Sequence, residues 1–157
     1  MAPQLLYDIS DIDLSQVVRD VDFIENVNPH RGHMRLLDAI VYENFDEGKV
    51  VARKDVRDDE FWVEGHIPGR PIFPGVLMIE AAAQLSSYTC LSKMPGQHFM
   101  GFAGVDGVKF RGQVAPGDTI YLLVKETDFR RKRCVCQVQG LVNGKLVFEA
   151  TITGMPM

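Results

Sequence analysis

Apolar residues at Leu14, Val17, Val18, Val21 and Ile24 recur with a helical period, and Asp13 stands where an N-cap belongs. Asn28-Pro29 breaks that helix, and residues 1–13 ahead of it read as a loose lead-in. Extended runs follow at 36–43 and 49–56, joined through Asp46-Glu47-Gly48 as a hairpin. A charged turn at 57–60 and a short strand at 61–63 come next. From Gly65 to Gly75, Pro68, Pro71 and Pro74 forbid regular structure and hold each preceding residue extended, so this stretch is expected to be an ordered loop.

The pattern then changes. VLMIEAAAQLSSYTCLSK, ending before Pro95-Gly96, is rich in strong helix formers and predicts a helix of about 17 residues, roughly 25 Å long. Apolar side chains occupy nearly all its faces from Val76 to Leu85, the mark of a buried helix. Ala81, Ala82 and Ala83 let another backbone approach. Strand-like runs follow at 99–104, 107–114, 119–129 and 133–140, with a last one at 145–153 after an Asn143-Gly144 hairpin turn. An antiparallel sheet wrapped around one long central helix satisfies this order, an α+β fold.

At 157 residues the chain is expected to be a single domain, with 1–27 as lead-in and short helix and 75–93 as the central helix. Hydrophobic residues at 46% and charged residues at 24% exclude disorder. The net charge of −4 argues against a general nucleic-acid binder. Cys90, Cys134 and Cys136 lack C-x-x-C spacing and read as buried free thiols, with a redox or metal role as the alternative. The acidic N-terminal stretch is no secretory signal, and no apolar run is long enough for a membrane span. A reducing, cytoplasmic setting is the expectation.

The long helix carries one carboxylate that its apolar pattern does not call for. Glu80 lies between Ile79 and Ala81, and Gln84 at i+4 can hydrogen-bond it. Either Glu80 points to a solvent-exposed edge, or its carboxyl is raised in pKa by apolar surroundings and suited to general-acid work. His66 sits in the proline-stiffened loop before the helix. It is either a surface histidine or a general base held with little entropy left to lose. The N–H groups of Gly75 and Val76 are orphan donors at the helix start, where the dipole is positive, a corner suited to a developing oxyanion. Base, acid and oxyanion donors together suit removal of a proton next to a carbonyl and loss of a β-hydroxyl.

GHIPGRPIFPGVLMIEAAAQ at 65–84 closely resembles the active-site segment of the FabZ-type 3-hydroxyacyl-acyl carrier protein dehydratases. NPHRGHMRLLDAI at 28–40 and GVDGVKFRGQVAPGD at 104–118 resemble the flanking segments of that family. Ile67 departs from it, standing where the family usually has Phe, and Arg70 stands where His or Asn is frequent. The resemblance implies a hot-dog fold and a homodimer with joined sheets, often assembled as a trimer of dimers. It implies His66 as catalytic histidine and Glu80 as catalytic carboxylate, meeting across the dimer interface. Gly75 becomes the backbone donor to the thioester carbonyl and Gln84 the orienting partner of Glu80. The implied substrate is a 3-hydroxyacyl chain on the phosphopantetheine of acyl carrier protein, with no metal or redox cofactor.

Lys109, Arg111, Arg130, Arg131, Lys132 and Arg133 give local positive charge, read either as solvated surface or as a docking site for the acidic carrier protein. Phe73, Phe99 and Phe102 are candidates for an acyl tunnel as well as for the core. His30 and His33 lack further ligands at metal spacing, and Asp8, Asp11 and Asp13 lack the rest of a calcium loop. Two other readings stay open on the same fold: an acyl thioesterase and a non-catalytic acyl-binding subunit.

Overall fold

A computed structural model describes residues 3–97 and 99–157; Met1 and Ala2 of the expected lead-in lie outside the described residues. In chain order the elements are α1 (Val21–Val27), β1 (Ala39–Asn44), β2 (Lys49–Asp55), α2 (Gly75–Leu91), β3 (Met100–Phe110), β4 (Thr119–Arg130), β5 (Arg133–Val142) and β6 (Lys145–Pro156). The strands form one sheet of six in the order β1-β2-β4-β5-β6-β3, and every neighbouring pair is antiparallel.

Strand alternation sorts the apolar residues onto two faces. Val50, Ala52, Ile120, Leu122, Val124, Val138 and Phe148 point inward and pack with Ala81, Ala82, Leu85 and Tyr88 of α2. Val41, Val51, Leu123 and Leu141 point the other way and would be left bare. Leu5, Tyr7, Ile9, Ile12 and Leu14 cover them, so these N-terminal residues form a packed strap rather than a loose lead-in. Gln139 ties the strap down: its Oε1 accepts from Leu6 N–H at 2.9 Å, and its Nε2 donates to the Gln4 carbonyl at 3.0 Å.

The first helix is shorter and later than the expected 14–24. Val18 and Arg19 are taken into a bridge with Ile40 on the open edge of β1. Asp13 closes a local turn onto Ser15, and Asp20 is the true N-cap, accepting from Phe23 N–H at 3.0 Å. The expected strand at 61–63 is instead a series of turns. The runs expected as separate strands at 99–104 and 107–114 join as one continuous strand, β3, which ends at Phe110, so residues 111–114 lie outside the sheet. Gly107, at φ 59°, allows an irregularity in its pairing with β6 rather than a break. The long helix starts at Gly75 as expected and ends at Leu91, short of the expected residue 93.

Candidate active site

The loop after β2 is anchored by a buried ion pair. Lys54 Nζ contacts both Glu60 carboxylate oxygens at 3.2 Å, and both side chains are almost fully buried. Glu60 also accepts from Trp62 Nε1 at 3.0 Å and from Arg57 N–H at 2.9 Å. The Trp62 ring packs edge-on against Phe73, which is buried in the core. Trp62 and Ile72 in turn hold His66. The His66 backbone N–H donates to the Trp62 carbonyl at 2.8 Å, and Nδ1 lies 2.7 Å from the Ile72 carbonyl. A carbonyl can only accept, so Nδ1 carries the proton of the neutral ring and Nε2 keeps its lone pair. Ile67, next in the chain, is exposed and has φ 59°, a left-handed conformation rare for a β-branched residue.

The loop ends at Pro74, which offers no side-chain cap to α2. The N–H groups of Gly75 and Val76 donate to no acceptor among the described residues. A Cβ on Gly75 would sit 2.7 Å from the Phe110 ring, so glycine lets that side chain lie against the helix start.

Glu80 lies further along α2. Its Oε1 accepts from Gln84 Nε2 at 2.9 Å and lies 3.5 Å from His30 Nε2. Gln84 is buried and fully bonded: Nε2 also donates to the Met34 carbonyl at 2.6 Å, and Oε1 accepts from Leu36 N–H at 3.0 Å. Asn28 Nδ2 donates to the Gln84 carbonyl at 2.9 Å. The segment from Asn28 to Leu36 is therefore stitched to the helix turn that bears Glu80. Glu80 and His30 open onto a cavity of about 50 Å³ that runs along α2 past Ala83 and Ser87 to Cys90, walled by Phe102 of β3 and by Cys134 and Cys136 of β5.

Not all the residues singled out in the sequence come together in one chain. Among the described residues no hydrogen bond or ion pair joins His66 to Glu80, and the cavity beside Glu80 is lined by His30 instead. Of the aromatic tunnel candidates, Phe102 lines that cavity, Phe99 is exposed, and Phe73 is in the core. Lys109 and Arg111 pair with Glu149, and Arg130 and Arg133 with Asp128. The guanidinium of Arg130 draws the Asp128 carboxyl below the usual range, and that of Arg111 does the same for Glu149. Arg131 and Lys132 stand exposed at the β4–β5 turn. All three cysteines are buried and free, with Cys90 Sγ 3.9 Å from Cys136 Sγ. His33 stacks on Phe61, away from His30. Among the described residues no helix is long and apolar enough to cross a membrane.

Sequence reasoning passed over His30 as a neighbour of Glu80 and missed the Lys54–Glu60 anchor. Lys54 did carry a signal, since it alternates in phase with the core residues Val50, Ala52 and Val56.

This architecture, a long helix held by an antiparallel sheet, is the hot-dog fold. It aligns with the dehydratase heterocomplex ApeI:P from Xenorhabdus doucetiae at a TM-score of 0.73 and 15% identity, covering 85% of this chain and 90% of that one. The pattern of the FabA-like domain matches residues 28–151. The chain belongs to this family. Within it, the chain is 39% identical over 138 residues to a protein of Koribacter versatilis named 3-hydroxyacyl-[acyl-carrier-protein] dehydratase FabZ, covering 87% of this chain and 88% of that protein. It is also 38% identical over 143 residues to the bifunctional enzyme LpxC/FabZ of Chlorobaculum tepidum, of whose length the match covers 30%.

Proposed function

We propose that this protein dehydrates 3-hydroxyacyl thioesters of acyl carrier protein to trans-2-enoyl thioesters, as an enzyme of fatty acid biosynthesis. The observation that carries the reading is the tether of His66 Nδ1 to the Ile72 carbonyl, which presents Nε2 as a base on a rigid loop. His66 Nε2 removes the proton from C2. The enolate-like charge on the thioester oxygen is received by the open N–H groups of Gly75 and Val76. Glu80, protonated, gives its proton to the 3-hydroxyl as the C3–O bond breaks, and water leaves with formation of the C2–C3 double bond. Proton exchange with solvent resets both groups. These steps require no metal or redox cofactor.

His66 and Glu80 serve the same substrate only if a second copy of the chain brings them together. The exposed edge strand β3 supports such a homodimer. It is 11 residues long, unpaired on one side, and carries Phe102 and Phe110, each about half exposed. Pairing of β3 with its copy joins the two sheets and sets each loop against the partner's helix, and three such dimers can assemble further. Arg131 and Lys132, the cations at the β4–β5 turn without an acidic partner among the described residues, are the first candidates to steer an acidic carrier protein, ahead of the paired Lys109, Arg111, Arg130 and Arg133. Phe102 is the tunnel candidate best placed to contact an acyl chain. The three buried thiols fit a reducing, cytoplasmic compartment.

The test is incubation with 3-hydroxybutyryl-acyl carrier protein and mass analysis of the acyl group. Loss of one water from an intact thioester is expected; release of free carrier thiol would place the protein with the thioesterases instead.

A further inference from the structure

We propose that His30 is a positioning residue for Glu80: together with Gln84 it occupies Oε1, so that the transferable proton of the carboxyl resides on Oε2. This rests on the dehydratase reading above, in which Glu80 delivers a proton.

Both contacts to the carboxyl converge on one oxygen. Gln84 Nε2 donates to Oε1 at 2.9 Å, and His30 Nε2 lies 3.5 Å from the same atom. Among the described residues Oε2 has no partner. The His30 contact is long for a hydrogen bond, as catalytic contacts often are before substrate binds. The other ring nitrogen fixes the tautomer. His30 Nδ1 is buried and has no hydrogen-bond partner among the described residues. A proton on Nδ1 would be a buried donor with nothing to donate to, whereas a proton on Nε2 has Oε1 before it, so the proton of the neutral ring belongs on Nε2. A carboxyl oxygen that already accepts two N–H groups is the carbonyl oxygen of the acid. Its proton is therefore displaced to Oε2.

The ring must stay neutral for this. A cation at that distance would favour the ionised carboxylate and leave no proton to deliver. Burial pushes the His30 imidazole below its ordinary value; the Glu80 charge opposes this, and Arg31 reinforces it. The titratable groups that face His30 are Glu80 and Cys90 of α2, Cys134 and Cys136 of β5 across the cavity, and Arg31 of its own segment. That segment does not drift, because Asn28 bonds the Gln84 carbonyl and Arg31 clasps the carbonyls of Glu25, Asn28 and His30.

Two variants and one titration test the assignment. His30→Ala is expected to lower kcat by about 10- to 100-fold with KM changed less than about 2-fold, the scale typical of a group that orients another. His30→Gln places an amide N–H near the position of Nε2 and should recover most of that loss. Equal loss in both variants, or none in either, overturns the role. NMR titration of the His30 ring reads the contact without turnover. In the wild type its pKa should lie below the ordinary imidazole value, and the ring nitrogen shifts of the neutral form should place the proton on Nε2. An unshifted ring, or one whose neutral form carries its proton on Nδ1, overturns the proposal even in an active enzyme. If instead the ring responds as expected while the wild type fails to turn over any 3-hydroxyacyl thioester, the dehydratase reading fails and the His30–Glu80 contact stands.

Discussion

Ile67 holds a left-handed backbone that its branched side chain resists, and it does so beside His66. The strain is imposed from both sides: His66 N–H is bonded to Trp62, and Ile67's own carbonyl accepts from Arg70 N–H at 2.9 Å. Glycine pays no such penalty in this region of backbone space. Ile67→Gly should therefore stabilise the fold by about 1 kcal/mol, the low end of the cost of a strained residue, because the side chain is exposed and little packing is lost. A rise in the denaturant midpoint checks this; a fall would show that Ile67 packs against something that outweighs its backbone strain. At this scale the candidates for the site were legible in the sequence. A glutamate inside an apolar helix and a histidine among prolines stand out by residue type alone. The contact of His30 with Glu80 did not, because it joins two segments distant in the chain, and nothing local marks it.

Among the elements, the loop from β2 to α2 depends on the Lys54–Glu60 pair beneath it. Removing one partner of a buried ion pair leaves the other charge without compensation, a loss typically of about 3–5 kcal/mol. Lys54→Met should cost about that much stability, and kcat should fall with it as Trp62 and Phe73 loosen under His66. Lys54→Met combined with Glu60→Gln should regain part of the stability, and urea unfolding of the three proteins measures both steps. A single variant as stable as the wild type would remove the pair from the account. The long helix and the strand hairpins were readable because composition and turn residues specify them locally. The first helix was misplaced because the open edge of β1 captures Val18 and Arg19, a long-range bond that outweighs local periodicity. The N-terminal strap was likewise hidden. Its apolar residues gain order only from the outer face of a sheet made of strands much later in the chain.

For the whole molecule, the β3 edge and the lack, among the described residues, of any hydrogen bond or ion pair between His66 and Glu80 support the proposal that the working unit contains two chains. Complementation tests this most directly. His66→Ala and Glu80→Ala are purified separately, checked for fold, then mixed, unfolded and refolded together, and each preparation is assayed on 3-hydroxybutyryl thioester by the appearance of the enoyl product. Each variant alone should be inactive. The mixture should recover about a quarter of wild-type turnover, since half of randomly paired dimers are mixed and each of those holds one intact site. Activity in either variant alone, or a mixture as inactive as its parts despite dimer formation, would contradict the assignment of His66 and Glu80 to one site shared between two chains.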